Sequence, residues 1–163
     1  VDKPVLNVFR MFGMMEGNRV TVVSNSVHNY ISVRDSSVRG SEADINALAT
    51  VNEYNATIMV WNYHDKNDLT IPAALVSVTV KGLTASKILL THYRIDQQHS
   101  NSYTAWKKMG SPQKPTEEQI TALEKAGQLQ MLGSPQWLPV KDGLAKIEFD
   151  LPRQGVSLIK ITW

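Results

Sequence analysis

Carboxylates, histidines and aromatic rings are the side chains of this sequence whose types and spacing could do chemistry. Glu148 and Asp150 stand at i, i+2, so on a strand both point to one face, where two carboxyl groups could work as acid and base. Lys146 would share that face, and a salt-bridged solvent surface is the stronger reading. Asp65 and Asp68 fall in His64-Asp65-Lys66-Asn67-Asp68, a turn composition, because short polar side chains bond nearby backbone. Asn52-Glu53-Tyr54-Asn55 reads likewise as a solvated turn. The histidines are His28, His64, His92 and His99. The separation of His92 and His99 fits neither a helical i, i+4 pair nor a strand i, i+2 pair of metal ligands, and the chain has no cysteine to supplement them. Histidines satisfied within the structure are therefore expected, with no metal and no catalytic residue assigned. The sequence calls for no cofactor, since it carries neither a phosphate-binding nor a dinucleotide-binding glycine pattern. Ser100 follows His99, but no Gly-x-Ser-x-Gly elbow surrounds any serine.

Aromatic residues are the remaining candidates. Trp61 and Tyr63 share one face of a predicted strand, and Tyr103 and Trp106 share a helix face at i, i+3. Tyr93 lies just upstream in Tyr93-Arg94-Ile95-Asp96, where Arg94 and Asp96 are placed to pair or cap locally. Exposed planar rings stack on sugars, so Trp61, Tyr63, Tyr93, Tyr103 and Trp106 are candidate sugar or interdomain contacts. Packing anchors are the favoured alternative, because large aromatics dominate cores and interfaces.

These residues need elements to hold them. Pro4 to Met15 reads as a helix: Pro4 suits a first turn, and Gly17-Asn18 ends the pattern. Its apolar residues run around most of the circumference, so it expects cover on more than one side. The expectation is that Leu6, Phe9 and Phe12 pack on the β-sandwich formed by the strands that follow or in a contact between copies. Strands are predicted at Arg19 to Ser24, at Tyr30 to Val33 within a polar loop, at Ile45 to Val51 and Ala56 to His64 as a hairpin, at Ala73 to Val80 and at Lys87 to Ile95. Ser100 or Asn101 can cap a helix running to Met109, with Gly110 just past its end. Thr116 and Gln119 form a capping-box pattern opening a second helix that Gly127 stops. Ala145 to Leu151 and Val156 to Trp163 are strands joined by the turn Pro152-Arg153-Gln154-Gly155. Short strands with turn signals give a mainly β fold, an antiparallel immunoglobulin-like β-sandwich with an N-terminal helix and a two-helix insertion at about 99–127.

Composition agrees with one ordinary globular unit. Of 163 residues, 42% are hydrophobic and 20% charged, enough for a real core. The formal charge is only +2, and Lys107-Lys108 is the sole adjacent basic pair, which argues against nucleic acid as a partner. No apolar run approaches the ~20 residues of a membrane helix. No signal-peptide pattern opens the chain. A soluble protein of undetermined compartment is expected. The start at Val1, without Met, suggests a processed product or a cloned fragment.

One segment is unusually specific. His92 to Leu129 reads HYRIDQQHSNSYTAWKKMGSPQKPTEEQITALEKAGQL, polar and aromatic residues interleaved without repeat. It resembles the C-terminal signature of glycoside hydrolase family 39, the β-xylosidases and their α-L-iduronidase relatives. KPVLNVFRMFG at Lys3 to Gly13 resembles the last helix of that family's (β/α)8 barrel, MVWNYHD at Met59 to Asp65 a strand-to-turn motif, and LPRQGVSLIKITW at Leu151 to Trp163 a closing hairpin. The wording HSNSYTAWKKMGSPQKPT is closer to the β-xylosidase branch.

The resemblance implies the C-terminal region of a retaining xylan 1,4-β-xylosidase without most of its catalytic barrel. Residues 1–17 would belong to the barrel's last helix and 18–163 to the sandwich. Retaining glycosidases need two carboxyl groups ~5 Å apart. In the family these are barrel glutamates, one in an Asn-Glu-Pro motif; Asn52-Glu53-Tyr54 lacks the proline, and no position matches the nucleophile, so none is carried over. The implied role is a scaffold or interdomain one, with a carbohydrate-binding module for xylan-type sugars as the alternative. The implied partners are the missing barrel, a second copy of the chain and a xylooligosaccharide. A short family segment preceding the barrel can add to the sandwich, and its absence would leave a sheet edge free to associate.

Overall fold

Strict alternation of apolar and polar residues gives a strand one face to bury and one to leave in water. In the computed structural model, which describes residues 1–66 and 71–163, the strands form two antiparallel sheets; the smaller keeps this alternation, while the central strands of the larger are buried on both faces. The element order is α1 (Pro4–Gly13), β1 (Asn18–Val20), α2 (Tyr30–Ser36), β2 (Asp44–Val51), β3 (Asn55–Tyr63), β4 (Ala74–Lys81), β5 (Lys87–Ile95), α3 (Ser102–Lys108), α4 (Glu117–Gly127), β6 (Gln130–Met131), β7 (Gln136–Pro139), β8 (Leu144–Leu151) and β9 (Val156–Thr162). The larger sheet runs β1-β2-β3-β9-β5, with β6 and β7 both paired to β5; the smaller is β4 with β8.

The two sheets face each other as a β-sandwich. Ala56, Ile58 and Val60 of β3, Ile88 of β5 and Ile159 and Ile161 of β9 meet Ala145, Ile147 and Leu151 of β8. Each fully buried aliphatic side chain here contributes roughly 1.5–3 kcal/mol. On β4, Val76, Val78 and Val80 turn inward while Leu75, Ser77, Thr79 and Lys81 turn out. The opposite face of the larger sheet carries a second, smaller core. There Met59, Ile95 and Leu158 receive Met11 of α1, with Val8, Met14 and Tyr93 around them. The molecule is thus three layers: helix, large sheet, small sheet. Gly17, at φ +88°, makes the turn between α1 and β1, where a side chain would also strike the Val51 carbonyl.

Several sequence expectations are corrected. Tyr30 to Val33 is not a strand but the start of α2, whose first turn is capped by Asn29 Oδ1 accepting from the Ile31 amide. The edge of β2 that it could have joined is taken by β1 and by the Ser26–Ile45 bridge. The strand expected over Arg19 to Ser24 stops at Val20, and Ser24 is held instead by its hydroxyl donating to the Ile45 carbonyl. Leu151 to Trp163 is no hairpin: β8 pairs with β4 and β9 with β3 and β5, so Pro152 to Gly155 carries the chain from one sheet to the other. β6 and β7 were not anticipated; they are short, and their pairing to β5 is a tertiary matter.

Candidate functional site

The region His92 to Leu129 begins on β5 and turns abruptly into α3. That turn is a hub of buried polar side chains. Arg94 is nearly fully buried and reaches three partners: Nε donates to Ser157 Oγ (2.9 Å), one terminal nitrogen to the Asp150 carbonyl (2.9 Å), the other to Asp96 Oδ2 (3.4 Å). Asp96 Oδ1 accepts from the amides of Gln98 and His99, so Arg94 and Asp96 do pair and cap locally. His99 Nδ1 lies 2.9 Å from the same oxygen. Burial holds the Arg94 guanidinium below its ordinary pKa, against the opposing pull of Asp96 and Asp150.

Ser100 is fully buried with φ +55°, a left-handed conformation that costs a non-glycine residue of order 1–3 kcal/mol. Its hydroxyl donates to the Arg94 carbonyl (2.7 Å) and accepts from the Gln130 amide (2.8 Å), which holds the turn. Asn101, rather than Ser100, caps α3 by accepting from the Thr104 amide. The capping box at Thr116 and Gln119 is formed, and Gly110 lies past the end of α3 at φ +85°.

The N-terminal helix is clamped to this hub. Asn7, fully buried, donates through Nδ2 to the carbonyls of Ser100 (3.1 Å) and Gly127 (2.8 Å). Arg10 donates to Asn7 Oδ1 (2.8 Å) and to Asp2 Oδ2 (2.6 Å). A Cβ on Gly127 would sit 2.8 Å from the Asp2 carbonyl, so the two chain segments approach as only glycine permits. Neither Asn7 nor Ser100 was marked as a hub residue by sequence. The available signal was Asn7 itself, a polar residue inside an otherwise apolar helix.

The aromatic candidates divide into two places. Trp61 is half-buried and its Nε1 donates to Asp44 Oδ2 (2.9 Å); Tyr63, exposed, donates to Asp65 Oδ1 (3.3 Å). The short ion pair from Arg39 holds the Asp65 carboxyl below its usual range, while Asp68 lies outside the described residues. Trp61 and Tyr63, together with Val8, Phe12, Met59 and Val156, line an open cleft of about 370 Å³ between α1 and the larger sheet. On α3, Tyr103 and Trp106 stack at 5.8 Å and 30°, with Trp106 Nε1 donating to the Pro112 carbonyl (3.0 Å). Tyr103 is exposed and Trp106 half-buried. Tyr93 packs against the helix-side core. The structure therefore pairs Trp61 with Tyr63 and Tyr103 with Trp106, and does not gather the five into one platform.

The cleft is walled mainly by hydrocarbon, and the indole N–H at its edge is already bonded. Such a surface fits an apolar side chain better than a sugar, whose hydroxyls need convergent polar groups. The outer side of α1 continues it: Val5, Leu6, Phe9 and Phe12 are all exposed. Of the two covers expected for Leu6, Phe9 and Phe12, the sandwich is not the one seen, because Asn7 and Met11 take that side of the helix and the three stay exposed.

Several of the candidate carboxylates and histidines have structural partners. Glu148 pairs with Lys146 at 2.9 Å on the outer face of β8. Glu53 lies in the turn between β2 and β3. His64, fully buried, lies 2.9 Å from the Gly40 carbonyl through Nε2, and its Nδ1 accepts from the Lys66 amide (3.1 Å). Among the described residues no three His, Asp or Glu side chains cluster as a metal site would require. No helix among them is long and apolar enough to cross a membrane.

Comparison with known proteins gives these features a context. The sequence profile of glycosyl hydrolases family 39 matches residues 1–135. The fold resembles that of a GH39 enzyme from Xanthomonas axonopodis pv. citri, with a TM-score of 0.74 at 14% identity over 98% of this chain and 30% of that one. A monomeric β-xylosidase from Caulobacter crescentus CB15 gives 0.71 at 16% identity, again over 98% and 30%. A bacterial orthologue of human α-L-iduronidase gives 0.60 at 18% identity, over 74% and 22%. The chain thus spans less than a third of the length of each of these proteins. No curated protein sequence matches it.

Proposed function

The chain belongs to glycosyl hydrolases family 39, and from that premise we propose that it is the non-catalytic β-sandwich of a β-xylosidase, carrying and bracing a (β/α)8 catalytic barrel in the same polypeptide. In this reading residues 1–17 belong to the barrel's last helix and 18–163 to the accessory domain. The observation that carries it is the two-sided helix α1. One side is clamped by Asn7 and Met11, and the other presents Val5, Leu6, Phe9 and Phe12 to solvent. An apolar stripe of this kind at the rim of an apolar cleft calls for a covering partner. The carboxylates Glu53, Asp65, Glu148 and Asp150 sit in turns or on exposed surface, with Asp65 and Glu148 ion-paired, which fits a domain that leaves acid–base chemistry to the barrel.

The parent's substrate would be a xylooligosaccharide, from which it releases xylose. Two measurements test this reading. The 163-residue chain should not hydrolyse a nitrophenyl-β-xyloside, whereas the full-length parent should. Phe9→Asp in the parent should lower its melting temperature and its yield of active enzyme. Turnover by the chain alone, lost when one of its own carboxylates is changed, would overturn the proposal.

A second reading, a module that binds xylan-type sugars, rests on the exposed Tyr103 ring stacked beside Trp106. It predicts that Trp106→Ala and Trp61→Ala weaken binding to xylooligosaccharides. A flat titration against them removes it. A second copy of the chain seated on the α1 stripe is the remaining partner; sedimentation at high concentration decides it.

A further inference from the structure

His92 lies on β5, on the face of the larger sheet that looks toward β4 and β8. Its ring meets Phe149 of β8 edge-on, with centroids 4.7 Å apart at 72°, and its Nε2 lies 2.9 Å from Ser157 Oγ of β9. The same hydroxyl accepts from Arg94 Nε, and Arg94 reaches on to the Asp150 carbonyl of β8. Since guanidinium can only donate, the Ser157 proton is left for an unprotonated His92 nitrogen. Three side chains thus join two strands of one sheet to the backbone of the other; the only other side-chain bond between the sheets among the described residues is Asn62 Nδ2 donating to the Leu151 carbonyl (2.9 Å), and the packing around them is apolar.

We propose that His92, Ser157 and Arg94 form an acid-sensitive latch between the two sheets, held closed by neutral His92 and opened by its protonation. Protonating His92 does two things. It removes the acceptor of the Ser157 hydroxyl, and it sets a second cation beside Arg94. Among the described residues, the strands packed against His92 turn no carboxylate toward that cation. On β8, Lys146, Glu148 and Asp150 lie on the exposed outer face, and on β4 so does Lys81. On β9, Lys160 lies on the opposite face from Ser157 and Ile159, and the interior residues of β3 are Ala56, Ile58, Val60 and Asn62. Asp96, in the turn after β5, is engaged by Arg94, by His99 and by two backbone amides. Burial, and then Arg94, push the His92 pKa down to about 4, in keeping with this geometry.

The sign follows from linkage. The unfolded chain takes the proton near pH 6.5, the folded chain near pH 4, so stability falls as pH drops through that window and is flat above it. Because Arg94 also leads into the turn that holds α3, the end of the sandwich bearing the insertion should loosen first.

The test is histidine NMR and amide exchange on the chain between pH 7 and 4. The His92 ring should remain neutral at pH 5.5. Exchange at the β5 and β9 amides, corrected for intrinsic rate, should rise by at least about tenfold between pH 6.5 and 4.5. In His92→Gln, which cannot take a proton there, the rise should be under about threefold. Should that variant fail to fold, the wild-type titration still decides. A His92 ring that protonates between pH 6 and 7, or equal exchange profiles in the two proteins, overturns the latch.

Discussion

The larger sheet is covered on both faces, but the two covers are finished to different degrees. The β4–β8 layer puts Val76, Val78, Ile147 and Leu151 inward and Ser77, Thr79, Lys146 and Glu148 outward, so it ends in water. The α1 layer puts Asn7 and Met11 inward and Val5, Phe9 and Phe12 outward, so it ends in hydrocarbon. The first is the profile of an outer wall. The second is the profile of a wall between two rooms, and this asymmetry underlies the proposal that α1 faces a barrel.

The comparison can be broken most forcefully from inside. Ile159→Ala, in the sheet-to-sheet core, should cost about 2–5 kcal/mol in urea unfolding. Met11→Ala, in the helix-side core, should cost about 2–4 kcal/mol in the same transition. A Met11 variant that unfolds like wild type would mean that α1 is not part of the cooperative unit, and the three-layer description would fall.

Asn7→Leu keeps the branched shape but leaves the Ser100 and Gly127 carbonyls buried without their donor. It should cost about 1–3 kcal/mol and speed amide exchange at α1 and at the end of α4 together. Exchange faster at only one of them would show that the clamp does not couple the helix to the insertion.

The smallest effects sharpen the asymmetry. Leu75→Lys on the outer face of β4 and Phe9→Asp on the outer face of α1 should each change the stability of the isolated chain by less than about 0.5 kcal/mol. In a full-length parent only Phe9→Asp should be damaging. Equal tolerance at both positions there would make the two walls equivalent.

Much of this was legible in sequence. The alternation of β4 and β8, the hairpin of β2 and β3, the caps at Asn101 and Thr116 and the turn at Gly110 all depend on residues within a few positions of one another. The family signature in His92 to Leu129 was legible too. The pairing of Arg94 with Asp96 was legible because the two lie only two positions apart, at the end of β5 and the turn that follows it. The aromatic pairs could be assigned to common faces, though not to exposure, since exposure depends on what packs above them.

What the sequence determined, then, was set by local chemistry: most of the longer helices and strands, their caps and turns, and the sandwich class. What only the tertiary structure decided was partnership. β8 and β9 read as a hairpin because their turn is short, yet each buries its apolar face only by joining a different sheet. Tyr30 to Val33 has strand-forming residues, but the Asn29 side chain caps the segment into a helix and no strand comes alongside it. Asn7 looked like an interruption in an apolar helix until Ser100 and Gly127, far along the chain, supplied the carbonyls it serves. His92 became more than a satisfied histidine once β8 and β9 brought Phe149 and Ser157 against it. Those contacts come from segments distant in sequence, and local pattern carries no record of which distant groups will meet.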